Sequence, residues 1–296
     1  MRTLFTSLTM LLLTTAAHTQ PLSTAWEELT SSDFALAVQQ SQGVCLVPIG
    51  VIEKHGQHLP LGTDVFTARE VCFRAAKKEY CLIFPFYYAG QIFEAKHQPG
   101  TIAYSADLLY QLLDETCREI ARNGIHKIII VNGHGGNNAF LQYFCQTQLA
   151  TPRDYVVFAI NPSSDSETKK IISSMRKTDF DEHAGEEETS TVMAIRPDLV
   201  KIERANAESG KELNQLPLKK EFPSLQTGIW WYAQSPNHYA GDGKEGNTAI
   251  GELGLESCSL SLAKLIKAVK ADQNALRLQE EFFTQSQQPL QTKAKQ

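Results

Sequence analysis

The sequence predicts an α/β fold in which helices cover both faces of a mostly parallel sheet. Short apolar runs recur along the chain, each ending in Gly, Asn or a turn-forming cluster, as buried strands do. Longer stretches between them carry apolar residues at helical spacing. Strands that alternate with helices pair in parallel, because each crossover helix returns the chain to the same end of the sheet.

The elements follow in order. Val44–Ile49 is a wholly apolar run closed by Gly50, a buried strand, and residues 67–78 have helical spacing. Leu82-Ile83-Phe84 is a second strand. Ala106–Arg122 is amphipathic, with Leu109, Leu112, Leu113, Cys117, Ile120 and Ala121 on one face and Asn123-Gly124 as the stop signal. Ile128-Ile129-Ile130-Val131 is a strand, residues 137–148 a helix and Val156–Ile160 a further strand. Residues 198–245 are irregular and hold all but one of the three tryptophans, so they read as an excursion or lid. Residues 245–283 read as one long closing helix. No Pro/Gly/Ser-rich linker or repeat interrupts the chain after Pro21, so residues 21–296 read as one domain.

Bulk properties exclude several classes of function. Hydrophobic and charged residues make up 42% and 21% of the 296, ordinary values that allow a full core and argue against disorder. A net charge of −5 without a Lys/Arg cluster leaves neither nucleic acid nor a membrane surface as an expected partner. At the N-terminus, Met1-Arg2 precedes a short apolar stretch through Leu13 and then small residues at Ala16 and Ala17. That pattern reads as a signal peptide over residues 1–20 and an exported, unanchored protein, periplasmic or secreted. The six cysteines form no Cys-x-x-Cys pair, which argues against a zinc knuckle or a thioredoxin-type motif.

Three segments bring metal-ligand residue types to strand-to-loop junctions. The first is Glu53-Lys54-His55-Gly56-Gln57-His58 running on to Asp64. Residues two apart in an extended chain share a side, so Glu53 and His55 can face one site, whereas His58 has the other parity. Gly56 and Pro60 oppose the helix that a His-Glu-x-x-His zinc motif requires. Asp64 falls where loop becomes helix and serves as ligand, cap or both. The second segment, Asn132-Gly133-His134-Gly135-Gly136-Asn137, follows a strand at the end of a parallel sheet where ligands bind. Its glycines permit close backbone approach to a metal or substrate, Asn137 or Asn138 can cap the next helix, and His134 is the ligand candidate. A phosphate loop would need a Lys and a Ser/Thr that are missing here.

The third segment, His183-Ala184-Gly185-Glu186-Glu187-Glu188-Thr189-Ser190, opens a helix. Glu186 and Glu187 suit the helix dipole, Glu188 is the one expected to turn inward, and His183 suits a proton shuttle. Carboxylates and imidazoles converging from three segments are how a chain holds divalent metal and activates water, so the sequence reads as a metal-dependent hydrolase.

On these three strings, and on the weaker His97-Gln98-Pro99-Gly100-Thr101 and Gly241-Asp242, the chain resembles the creatininase family of metal-dependent amidohydrolases. The resemblance runs from about residue 45 to 255. It implies a three-layer α/β/α sandwich, a homo-oligomer (often a hexamer) and two divalent metal ions, zinc and/or manganese, with iron in some relatives. Carried across by motif, Glu53 and His134 would bind one ion and His55 the other. Asp64 would bridge the two ions, and His183 would be the catalytic histidine. Creatininase proper has a Tyr where this chain has Gly135 and a carboxylate where it has Gly136. Glu188 is the expected replacement ligand, and the Gly-Gly loop implies a small amide substrate other than creatinine. His97, Gly135, Trp230 and Trp231 are the expected substrate contacts. The alternative reading is an exported metal- or ligand-binding protein on the same scaffold. An esterase or phosphoesterase is less favoured, because no Arg or Lys accompanies the ligands.

Overall fold

The computed structural model describes residues 21–292; the leader read in residues 1–20 lies outside them. The chain runs α1 (Ser31–Gln40), β1 (Val44–Ile49), α2 (Thr63–Lys78), β2 (Leu82–Ile83), α3 (Ala106–Arg122), β3 (Lys127–Asn132), α4 (Asn137–Thr147) and β4 (Val156–Ile160). It continues with α5 (Ser166–Met175), α6 (Glu186–Ile195), the short α7 (Pro217–Glu221) and α8 (Trp230–Gln234), then α9 (Thr248–Ala271) and α10 (Ala275–Ser286).

All four strands are parallel, in the order β2-β1-β3-β4. Alternate residues of the two central strands enter opposite cores, which is why both read as unbroken apolar runs. Cys45, Val47 and Ile49 with Ile128 and Ile130 pack against Ala37 of α1, Leu109, Leu113 and Ile120 of α3 and Phe144 of α4. Val44 and Leu46 with Ile129 and Val131 pack against Val71, Cys72 and Ala75 of α2 and Leu255, Leu262 and Ile266 of α9. The result is the α/β architecture expected, helices on both faces of a parallel sheet. All six cysteines are free thiols, four of them buried.

After β1 the chain adds β2 on one side and β3 on the other. The topological switch point therefore lies between the carboxyl ends of β1 and β3, where open α/β sheets form their ligand crevice. Two glycines make room there. A Cβ on Gly50 would lie 2.6 Å from the Val65 nitrogen, and one on Gly133 2.5 Å from the Asp64 carbonyl oxygen. Both strand ends therefore cross against the first turn of α2 at a distance only glycine allows.

Three sequence expectations are corrected. The closing helix is two helices, because Asp272 accepts from the Asn274 and Ala275 amides and turns the chain between α9 and α10. Helix α2 starts at Thr63, four residues before the 67–78 expected, so Asp64 lies inside its first turn rather than capping it. Neither Asn137 nor Asn138 caps α4. The cap position is Gly136, and Asn137 instead accepts from the Gln91 amide and donates to Asn132. Among the described residues no helix is long and apolar enough to cross a membrane.

Candidate metal centre

The loop leaving β1 turns inward. Glu53 is held by the hydrogen bond its backbone N–H donates to the Leu61 carbonyl, and both Glu53 and His55 are fully buried, on the same side as their parity requires. The first turn of α2 brings Asp64 beneath them, with one carboxylate oxygen 3.1 Å from His55 Nε2 and the other 3.1 Å from His134 Nδ1. His134 comes from the loop after β3. Asn132 pins that loop, accepting from the His134 amide and donating to the His134 carbonyl. His134 Nδ1 also stands 2.8 Å from Glu53 Oε1.

The third segment approaches from above. His183 exchanges two backbone hydrogen bonds with Ala240 and donates from Nε2 to the Lys54 carbonyl at 2.9 Å. Because a carbonyl only accepts, Nε2 carries the hydrogen and Nδ1 keeps its lone pair, 3.9 Å from Glu188 Oε2. Glu188 accepts from the Ala184 amide at 2.5 Å and stands 3.9 Å from His55 Nε2. Glu186, in the first turn where it suits the helix dipole, does more than that. It is buried and accepts from the Lys177 amide and from both the amide and the hydroxyl of Thr178, tying α6 to the segment before it. Glu187 pairs with Arg176 at the surface.

The electrostatics are those of a cluster built for added positive charge. Burial opposes a charge on His55, yet Asp64, Glu53 and Glu188 raise its pKa to about 10. His134 is likewise held well above the histidine range against the cost of burial, by Glu53 and Asp64. Glu53 sits well below the carboxylate range: burial opposes its ionisation, but the charge on His134 and the hydrogen bonds from His134 and His238 together outweigh it. Burial raises Glu188 to about 7. Burial, together with the neighbouring His55, pushes His183 down to about 3, so it is neutral.

The donor set fits divalent cations. Glu53 Oε1, Asp64 Oδ2 and His134 Nε2 are buried without a well-angled hydrogen-bond partner. Buried polar atoms left this way require a partner. Among the described residues three groups have donor atoms within 4.8 Å of one another: Glu53/Asp64/His134, His55/His183/Glu188 and Glu53/His183/His238. A mixed carboxylate–imidazole set of this kind suits zinc and manganese.

A cleft of about 380 Å³ opens over the cluster, lined by Glu53, Asp64, His134, His183, Glu188 and His238 below and by Gly135, Trp230 and Trp231 among its walls. A cleft of about 890 Å³ beside Arg118, Arg122 and Arg153 is larger but has no such convergence. Gly135 faces open space, whereas a side chain on Gly136 would collide with His134 Nε2 and lie 2.6 Å from Glu94 Oε1. His97 stands outside the cleft walls, bonded at 2.8 Å to the Pro236 carbonyl and edge-on to Tyr232, where it ties the lid segment down. His58 also lies apart, with Nε2 2.9 Å from the Thr189 hydroxyl.

Sequence reasoning missed two groups, Glu94 and His238. Glu94 lines the cleft 3.9 Å from His134 Nε2. His238 contacts Glu53 Oε2 directly and receives the Trp231 indole N–H at 2.9 Å. His238 has no ligand residue at a recognisable spacing beside it, so only its place in three dimensions identifies it, whereas Glu94 lies three residues before His97 and that spacing is the signal that could have found it.

Comparison with known proteins places the chain among relatives of one family. The family model described as creatinine amidohydrolase matches residues 27–266. Creatinine amidohydrolase from Pseudomonas putida is 28% identical over 191 residues, 60% of this chain and 74% of that protein. The mycofactocin precursor peptide peptidase of Mycolicibacterium smegmatis is 30% identical over 239 residues, 78% of this chain and 87% of that protein. A crystal structure of creatinine amidohydrolase superposes with a TM-score of 0.71 at 25% identity, covering 84% of this chain and 99% of its own. The match spans both strands that build the cleft and all three ligand-bearing segments, and the chain belongs to the creatininase family of metal-dependent amidohydrolases acting on C–N bonds.

Proposed function

We propose that this protein hydrolyses a small amide in the cleft above β1 and β3, where Asp64 would help to hold two divalent ions. One observation carries the reading. The Asp64 carboxylate stands between His55 and His134, one oxygen 3.1 Å from each, so a single side chain serves two ligand sets. Glu53 and His134 complete one set, and His55 and Glu188 the other. Glu188 supplies the carboxylate that the loop lacks at Gly136. Solved creatininases include a Zn-Zn form and a manganese form, each 24% identical with TM-scores of 0.69 and 0.68, and the donor set here suits either metal.

When bound, such ions lower the pKa of a coordinated water and polarise the amide carbonyl. The chain's own residues do the rest. His183, neutral and fixed by Lys54, presents the Nδ1 lone pair towards Glu188. Nδ1 would take the proton that the attacking water gives up and pass it to the leaving nitrogen as the C–N bond breaks, a step that general acid–base groups accelerate by about 10²–10⁴-fold. Trp230 and Trp231 wall the cleft and limit water. A cleft of about 380 Å³ has room for a small amide, and the Gly135-Gly136 loop, where creatininase proper has a Tyr and a carboxylate, argues against creatinine itself. Export through the leader of residues 1–20 and assembly into a homo-oligomer belong to the same reading.

The test is elemental analysis of the mature protein purified without chelators, followed by an amide screen. Close to two equivalents of zinc, manganese or iron per chain supports the shared site. One or none after reconstitution overturns it.

A further inference from the structure

Trp231 does more than wall the cleft. Its indole nitrogen lies 2.9 Å from His238 Nδ1, and His238 Nε2 contacts Glu53 Oε2. His238 and Glu53 are both buried, at 1% and 0% exposure, so neither atom can turn to water instead. An indole N–H can only donate. The Nδ1 of His238 must therefore offer a lone pair, and the hydrogen of the neutral ring is on Nε2, facing the carboxylate. We propose that His238 is a positioning residue: it donates Nε2–H to Glu53 Oε2, with its tautomer fixed by Trp231, and so leaves Glu53 Oε1 turned towards His134 and the metal.

The competing role for His238 is that of a third ligand, since its donor atom lies within 4.8 Å of those of Glu53 and His183. Ligation through Nε2 would move the ring hydrogen to Nδ1. Two N–H groups would then face each other across the 2.9 Å that now holds a hydrogen bond. Outer partners of this kind orient a ligand and raise its affinity for metal, and losing one typically costs about 10–100-fold. The arrangement also ties α8, the helix over the cleft, to a carboxylate beneath it. The His183 ring is edge-on to Trp231 at 5.8 Å and to His238 at 4.6 Å, so the three rings form one packed wall.

This inference rests on reading Glu53 as a metal ligand, and the experiment separates the two. Imidazole ¹⁵N spectra of the full mature protein, metal-free and zinc-loaded, report the His238 tautomer without any substitution. Zinc affinity by chelator competition is then measured for His238→Gln, His238→Phe, Trp231→Phe and Glu53→Gln. The Gln amide donates from nearly the place of Nε2. The expected results are Nε2–H in both spectra, zinc binding within about 3-fold of the parent for His238→Gln, and a loss of about 10–100-fold for His238→Phe. Trp231→Phe should fall between them and give mixed tautomers. A hydrogen on Nδ1 with a zinc-shifted Nε2 overturns the donor role, as does a His238→Gln protein as weak as His238→Phe. Should His238→Phe fail to fold, the spectra and Trp231→Phe still decide. Unchanged affinity in Glu53→Gln would reject Glu53 as ligand, leaving the tautomer result to stand on its own.

Discussion

Gly133 offers a sharp test of how the backbone sets the metal centre. Its amide extends the β3–β1 ladder by bonding the Ile49 carbonyl at 2.8 Å, so its position is fixed by the sheet. An added Cβ would lie 2.5 Å from the Asp64 carbonyl oxygen and 2.9 Å from Ala68 Cβ. Both belong to the body of α2, and neither is the end of a side chain that can swing aside. Restoring an ordinary contact near 3.4 Å requires the strand end and the helix to part by about 0.9 Å. Overpacking of this kind destabilises by about 1–3 kcal/mol. The same displacement carries Asp64 away from His134, taking their 3.1 Å contact to about 4 Å, whereas ligand distances tolerate about 0.2 Å. Gly133→Ala should therefore unfold at lower urea and bind zinc at least about 10-fold more weakly in chelator competition. Gly135→Ala is the control, because its Cβ meets nothing within 4 Å, and both measurements should stay at the parent values. A Gly133→Ala protein with parent stability and zinc affinity would refute the claim that glycine at the strand end sets the position of Asp64.

Two further outcomes follow from the site. His183→Ala should lose about 10²–10⁴-fold in amide turnover while retaining both metal equivalents, and near-normal activity would remove His183 from the proton transfer. The pH dependence of metal-free protein has a definite sign. His55, raised to about 10 when folded, contributes stability that is complete below its unfolded value near 6.5 and is lost as pH rises through about 10. Glu188, near 7, is already ionised above about pH 8, so the histidines dominate the interval from 8 to 10. Burial raises the thiols of Cys45, Cys72, Cys81 and Cys117, which destabilises loaded and metal-free protein alike there. The informative quantity is the difference: the gap in melting temperature between zinc-loaded and metal-free protein should widen from pH 8 to 10. A constant gap would mean that His55 and His134 are neutral without metal.

The parts of this protein legible in its sequence are those governed by short-range periodicity. Val44–Ile49 and Ile128-Ile129-Ile130-Val131 are apolar at every position because both faces of a central parallel strand are buried, and that pattern needs no partner to be recognised. The parity of Glu53 and His55 is similarly local, as is the placing of His134 at a strand end. Tertiary structure decided everything that depends on distant segments meeting. The position of Asp64 between two histidines depends on how closely two glycines let the strands cross α2. Glu186 suited the helix dipole from its sequence position alone, and only the fold shows the 177–178 backbone amides bonded to it. His97, read beside a recognised string, went to the lid, whereas His238 reached Glu53 across 185 residues of chain. A side chain's propensity and parity are properties of its neighbours in sequence. Its partner is set by packing, which alone brings residues so far apart within hydrogen-bonding distance.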